Sequence, residues 1–292
     1  MPSPAAELEK ILHAAMGEKV GALRPLSGGC VGEVYRGQTN SGRPLVIKHG
    51  DKESALSLEG WMLGYLREKS DLPVPEVFFA RDDLLVMEYI ESGDGLTPDA
   101  QTPAAQTHAA EILAALHEIS APRFGLCRPT LIGGLDQPNE ESDSWINFFR
   151  DQRLLYMARA AHEEGQLPAD IFSRLEKLAS RLSDFITEPA RPSLIHGDMW
   201  GGNVLAKGGR ITGFVDPAIY YADAEIELAF STLFSTFGNS FFNRYRELRK
   251  IEPGFFEERR DLYNLYPLLV HVRLFGGSYI RDVSRTLSRF GF

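Results

Sequence analysis

His196-Gly197-Asp198, with Asn203 five residues after the acid and Asp216 beyond it, places two carboxylates and an amide at a spacing suited to phosphoryl transfer. In that chemistry a loop carboxylate accepts the proton of the attacking hydroxyl. An Asn five positions later holds one Mg²⁺, and a second Asp at a strand end holds metal between the β- and γ-phosphates. On this reading Asp198 is the catalytic base, Asn203 and Asp216 are the metal ligands, and ATP and Mg²⁺ are the cofactors. Acids also end hairpins simply as turn formers, but here the full spacing occurs together. His196, two residues before the base, reads as a brace for the loop rather than a proton carrier.

An upstream half must hold the nucleotide. Leu26 to Tyr35 contains Gly28, Gly29, Cys30 and Val31 in a glycine-rich turn between extended segments, where backbone N–H groups can approach phosphate oxygens. Pro44-Leu45-Val46-Ile47-Lys48 is an apolar strand ending in a lysine able to reach the α- and β-phosphates. Glu59, in the amphipathic stretch from Ala55 to Lys69, is its candidate ion-pair partner; a helix-surface Glu is otherwise simply solvated. Leu84 to Ile90 reads as a buried strand running into a polar, glycine-containing break. Met87, Glu88, Tyr89 and Ile90 are therefore the expected hinge, offering backbone to the adenine edge.

The elements around these residues follow from pattern. Val204-Leu205-Ala206 and Ile211 to Val215 form two short strands about Lys207-Gly208-Gly209-Arg210, a hairpin returning Asp216 beside Asn203. Helical stripes cover Pro103–Ile119, Ser144–Glu163, Ala169–Ile186, Ala224–Phe237, Pro253–Leu274 and Gly277–Leu287. The expected class is α+β, a bilobal protein-kinase-like fold with a small β-rich nucleotide-binding lobe over residues 1–90 and a larger helical catalytic and substrate lobe over 91–292. At 292 residues, 43% hydrophobic and 24% charged, the chain is long enough for a core in each lobe.

A formal charge of −9 disfavours nucleic acid or an anionic membrane as a partner, since either demands a basic face. The first nine residues lack the basic start and apolar run of a signal peptide, and no apolar run is long enough to span a bilayer, so a cytoplasmic location is expected. Two cysteines, Cys30 and Cys127, do not make a disulfide framework.

The missing parts narrow the acceptor. A peptide kinase needs a long activation segment after its second metal Asp, yet an apolar helical pattern resumes at Ala224, eight residues past Asp216. Gly197 stands where peptide kinases carry Arg. The acceptor is therefore a small molecule, or a small adduct on a larger one.

His196 to Val204, Asp216-Pro217-Ala218-Ile219-Tyr220-Tyr221 and Phe275-Gly276-Gly277-Ser278-Tyr279 together resemble the fructosamine kinase family. That family includes ketosamine-3-kinases and lies in the aminoglycoside phosphotransferase-like branch of the kinase fold. The resemblance runs from about Leu26 to Tyr279 and includes Pro138-Asn139 and Ser144 to Leu154. His-Gly-Asp alone marks the whole branch; Trp200 and the Asp-Pro-Ala-x-Tyr-Tyr run narrow it.

The resemblance implies ATP-dependent phosphorylation of the sugar 3-hydroxyl of ketosamines, either free or on protein lysines. The product is unstable and frees the amine, a deglycation repair. It further implies that Trp200 is a platform for the sugar or its cationic amine, against the blander role of a core Trp anchoring the loop. It places His271, otherwise readable as a satisfied core histidine, against the sugar. Cys30 aligns with a cysteine that forms a redox-dependent homodimer in relatives; a small turn-filling residue in a monomer is the alternative. Ala222-Asp223-Ala224-Glu225 and Gly133-Gly134-Leu135-Asp136 depart from the family pattern and leave the sugar open among ribulosamines, erythrulosamines and fructosamines. Rival readings are another small-molecule kinase of the aminoglycoside or choline kinase branch, and a nucleotide-binding scaffold without turnover.

Overall fold

A computed structural model describes residues 4–26, 32–93 and 99–292. The expected phosphate-loop residues Gly28, Gly29, Cys30 and Val31 lie outside the described residues, and with them the Cys30 dimer contact.

The N-terminal part comprises α1 (Pro4–Met16), β1 (Val20–Pro25), β2 (Glu33–Thr39), β3 (Pro44–His49), α2 (Leu56–Lys69), β4 (Val77–Arg81) and β5 (Leu84–Glu88). Its strands form one antiparallel sheet in the order β1-β2-β3-β5-β4. The two-residue side-chain period of a strand sorts β3 between two environments. Leu45 and Ile47 join Leu84, Val86, Val20 and the α1 residues Leu8 and Leu12 in one apolar cluster. Lys48 belongs to the other face, where Leu85, Met87 and the α2 residues Met62, Leu63 and Leu66 pack. Register pairs Lys48 with Val34 on β2 and Leu85 on β5. Gly60 lets α2 approach the sheet closely, since a Cβ there would lie 2.7 Å from Ala80 Cβ.

The larger, mostly helical part runs α3 (Pro103–Glu118), β6 (Thr130–Ile132), β7 (Leu135–Gln137) and α4 (Trp145–Phe148), then through a π-helical stretch, Phe149–Leu154, into α5 (Leu155–Glu163). There follow α6 (Ala169–Ala179), β8 (Ser193–Ile195), β9 (Val204–Lys207), β10 (Arg210–Phe214) and β11 (Tyr220–Ala222). The chain ends with α7 (Ala224–Leu233), α8 (Asn239–Leu248), α9 (Arg260–Tyr263), α10 (Leu265–Phe275) and α11 (Ser278–Arg289). A mixed fold with a β-rich small lobe and a helical large lobe is the arrangement expected from the sequence. Among the described residues no helix is long and apolar enough to cross a membrane.

Three hairpins or strand pairs in the large lobe fix the functional segments. β9 and β10 pair about Gly208 and Gly209, both at positive φ (59° and 75°), as a two-residue primed turn requires. β8 and β11 pair antiparallel, bringing Tyr220 beside Ile195. β6 and β7 turn at Gly133 and Gly134, also at positive φ. The Gly-Gly segment that departs from the family pattern is thus a hairpin turn.

Some element bounds differ from the periodicity. The stripe expected over Ala169–Ile186 stops as an α-helix at Ala179, because the backbone of Arg181 (φ −122°) leaves the helical region before a short 3₁₀ turn at Leu182–Asp184. That over Ala224–Phe237 stops at Leu233, with Ser235 at φ 55° reversing the chain. α8 is a helix for which no stripe was expected; it buries Phe241, Phe242 and Tyr245.

Candidate functional site

Lys48 emerges from β3 toward α2, and its Nζ lies 2.7 Å from Glu59 Oε1 and 2.6 Å from Asp216 Oδ1. Burial acts to lower the Lys48 pKa, but the two carboxylates outweigh it and hold the ammonium charged. Burial likewise pushes Glu59 up, against the pull of Lys48. The ion pairs join the small lobe to the segment after β10, and a second link, Tyr65 hydroxyl to Tyr221 hydroxyl at 3.1 Å, ties α2 to β11.

Asp198 and Asn203 lie in the loop between β8 and β9. Asn203 Nδ2 donates to Asp198 Oδ2 and to Asp198 O, both at 2.9 Å, and reaches Asp216 O at 3.4 Å. One amide therefore gathers both acid-bearing segments. With its NH₂ committed to these oxygens, the Asn203 Oδ1 is the atom left for a cation. Burial pushes the Asp198 carboxyl up to about 7; the Asn203 hydrogen bond opposes this, and Asp216 and Glu227 add to it. Asp216 has φ 53°, the left-handed region that Asn and Asp tolerate best among residues with a side chain.

No group of three or more His, Cys, Asp or Glu side chains forms a metal cage among the described residues. A site for Mg²⁺ needs none, since that ion takes one or two carboxylates with phosphate and water oxygens. The oxygen donors of Asn203 and Asp216 fit such an ion.

His196 is buried beneath this loop. Its Nε2–H donates to Val215 O at 3.0 Å, and Nδ1 receives the Asp198 N–H at 3.4 Å. Burial lowers its pKa, so the imidazole is neutral and satisfies both bonds. It spans the base segment and the segment preceding Asp216.

A deeper support carries no signal of spacing. Glu227 on α7 is buried and accepts Gly197 N–H at 2.6 Å, while its other oxygen lies 3.0 Å from His117 Nε2 on α3. His117 Nδ1 in turn lies 2.7 Å from the Tyr245 hydroxyl on α8. Burial alone would raise the Glu227 pKa, but His117, His196 and the Gly197 N–H lower it below the usual glutamate value. The one available clue was a Glu within the apolar run Ile226 to Phe230.

Gly197 itself is at φ 88°, and a Cβ there would collide with Ala218 O. Gly197→Ala is expected to displace Asp198 and lower kcat by about a hundredfold, with far-UV circular dichroism unchanged. Retention of wild-type kcat would show that this backbone approach does not set the loop.

The remaining expected residues occupy three places. At the hinge, Met87 is buried in β5, Glu88 N–H is taken by Glu76 O at 2.8 Å, and Tyr89 N–H approaches Pro44 O at 3.5 Å. Ile90 N–H finds no backbone acceptor among the described residues. Trp200 is 39% exposed, with its indole lying over Gly202, where a Cβ would strike the ring. His271, on α10, donates from Nδ1 to Pro267 O at 2.7 Å and packs among Phe234, Phe275 and Tyr279. The structure thus brings Lys48, Glu59, Asp198, Asn203, Asp216 and His196 into one polar cluster.

Residues 4–290 match the family model described as fructosamine kinase. A probable ketoamine kinase of Synechocystis is 31% identical, over 99% of this chain and 97% of that protein. One from Vibrio parahaemolyticus is 32% identical over 90% of each. A crystal structure from Thermobifida fusca with a provisional fructosamine-3-kinase name superposes with a TM-score of 0.82 and 30% identity, covering 98% of this chain and 99% of that one. The aminoglycoside phosphotransferase APH(4)-Ia shares the fold, with a TM-score of 0.66 at 20% identity over 98% of this chain and 96% of that one.

Proposed function

The chain belongs to the fructosamine kinase family, and from that membership we propose that it transfers the γ-phosphoryl group of ATP to the 3-hydroxyl of a ketosamine, as a deglycation repair activity. The observation that carries the reading is the joining of Lys48, Asp198, Asn203 and Asp216 in one polar cluster. A kinase name fits the relatives, and the chemistry of this cluster fits a kinase.

In this mechanism Lys48, held by Glu59 and Asp216, orients the α- and β-phosphates. Asn203 Oδ1 and the Asp216 carboxylate would hold Mg²⁺, which would supply charge neutralisation on the phosphates. Asp198 accepts the proton of the acceptor hydroxyl. Its raised pKa suits a group that must take up and release a proton near neutral pH. His196 and Glu227 keep the base segment in place, and the backbone at Ile90 is the hinge donor to adenine.

Trp200 offers an exposed aromatic face next to the base, able to pack on a sugar and attract a protonated secondary amine. Trp200→Ala is expected to raise KM for the ketosamine about tenfold while leaving KM for ATP within a factor of about two. A rise in KM for ATP alone would instead place the ring on the nucleotide side.

The decisive assay is ³¹P NMR with Mg²⁺-ATP and, separately, ribulose-lysine, fructose-lysine and kanamycin. A new sugar-phosphate resonance with either ketosamine supports the proposal and ranks the sugars. A resonance with kanamycin alone, or ATP binding without turnover on any acceptor, defeats it.

A further inference from the structure

Large apolar side chains more than a third exposed are few among the described residues: Trp200 (39%), Phe234 (37%), Leu248 (45%) and Phe275 (59%). Two of these four, Phe234 and Phe275, flank His271 on one part of the large lobe. Phe234 lies 4.8 Å from His271, which lies 5.4 Å from Phe275 and 4.9 Å from Tyr279, centroid to centroid; Phe275 and Tyr279 are 6.3 Å apart. An aromatic group of this size left in water at the end of α10 and the start of α11 costs solvation free energy that burial would recover.

Its position relative to the base is set by two contacts. Thr236 Oγ1 donates to Met199 O at 3.4 Å, which ties the turn after Phe234 to the residue between Asp198 and Trp200. Toward the other end of α10, Tyr266 donates to Gln137 Oε1 at 2.6 Å, and Gln137 Nε2 donates to Ala218 O at 3.1 Å, two residues past Asp216. The rings therefore stand on elements anchored to both acid-bearing segments.

We propose that Phe234, Phe275 and Tyr279 form a shelf for the amine-borne substituent of the acceptor, so that ketosamines of aromatic and bulky apolar amines are the preferred substrates. This rests on the reading of the site as a ketosamine kinase. In a ketosamine the nitrogen sits on C1, three bonds and roughly 4 Å from the C3 oxygen-bearing carbon. With the 3-hydroxyl at Asp198 and the sugar against Trp200, the substituent leaves the sugar within a few ångströms of the base and must continue along the protein surface. The rings carried by the elements tied to the base segment through Thr236 and Met199 supply that surface. His271 suits a protonated amine nearby, because burial lowers its pKa and its Nδ1–H is spent on Pro267 O, leaving Nε2 as an acceptor.

The test compares kcat/KM for the ribulosamines of benzylamine and of ethanolamine, which carry the same sugar on a protonated amine and differ in the apolar ring. Wild-type enzyme is expected to favour the benzylamine adduct about tenfold, the effect of burying one phenyl group. Phe275→Ala should narrow that ratio to below about threefold, and Phe275→Leu should give an intermediate value. Phe275 is largely exposed, so its truncation leaves the core intact. Leu248→Ala, on the end of α8 outside the ring group, should keep the ratio. Equal kcat/KM for the two adducts in the wild type, or a ratio unchanged in Phe275→Ala, overturns the shelf while leaving the kinase reading standing. Turnover of neither adduct, with fructose-lysine and ribulose-lysine also untouched, removes both.

Discussion

Asp198→Ala is expected to lower kcat by about 10²- to 10⁴-fold, the range for removing a general base, while leaving nucleotide affinity within about threefold. Two features of the site separate chemistry from binding. Asp198 makes no contact with Lys48, whose partners are Glu59 and Asp216. Loss of its carboxylate also spares the Asn203 bonds to Asp198 O and Asp216 O, so the amide that faces the cation stays tethered.

Asp216→Asn is the contrasting variant, because Asn tolerates the left-handed backbone at this position and removes only the charge. It should weaken Mg²⁺-dependent nucleotide binding as well as turnover, since Lys48 loses one of two carboxylates and the cation loses its charged ligand. Calorimetric titration of a non-hydrolysable ATP analogue, with and without Mg²⁺, reads both. Equal losses of affinity in the two variants would contradict the division of roles between base and ligand.

Glu227→Ala should produce the largest loss of stability, about 3–5 kcal/mol, the cost of removing one partner from a buried charged network. The deletion leaves the Gly197 N–H and His117 Nε2 without their acceptor in a site closed to water. At about 2–4 °C per kcal/mol for a chain of this class, Tm should fall by roughly 10 °C. Glu227→Gln keeps an acceptor oxygen and should lose less. Differential scanning calorimetry decides; a shift of under about 2 °C for the alanine variant would mean that α7 is not the support of the base loop.

The same carboxylate contributes a pH dependence with a defined sign. Its folded-state pKa is held below the unfolded value of about 4.3. Its contribution is therefore complete above that value and is lost as pH falls through the lower folded-state pKa. Acid unfolding of the wild type should consequently begin at higher stability than that of Glu227→Gln, and the two curves should converge at low pH.

Much of the architecture was legible because it depends on local chemistry. The β9–β10 hairpin was readable from Gly-Gly between two apolar runs, since glycine adopts without strain the positive φ its turn demands. The start of α7 at Ala224 was readable from apolar spacing, and with it the lack of space for a peptide platform. The Ala222-Asp223-Ala224-Glu225 departure could not be interpreted from sequence; in the fold Asp223 caps α7 by accepting Glu225 N–H and also accepts the Tyr263 hydroxyl.

Long-range pairing was not legible. Nothing in the chain near Arg153 announces that its guanidinium is buried against Tyr220, 3.8 Å from the ring centroid, and bonded to Pro138 O and Asn139 Oδ1. The helical stripe through Ser144–Glu163 gave no sign of the π-helical stretch at Phe149–Leu154 in which Arg153 lies.

The sequence by itself determined the family and the α+β bilobal class, and it singled out the short list of groups proposed for phosphoryl transfer. It could do so because acid, amide and lysine spacings within a loop, hairpin or strand are local, and the chemistry restricts which residue types can serve. Only the tertiary structure decided which groups meet: Lys48 with Asp216, Gly197 with Glu227 from α7, and Phe234 and Phe275 with His271 between them. Those contacts join residues up to 168 positions apart. They are selected by how the two lobes and their helices pack against one another, which no spacing along the chain encodes.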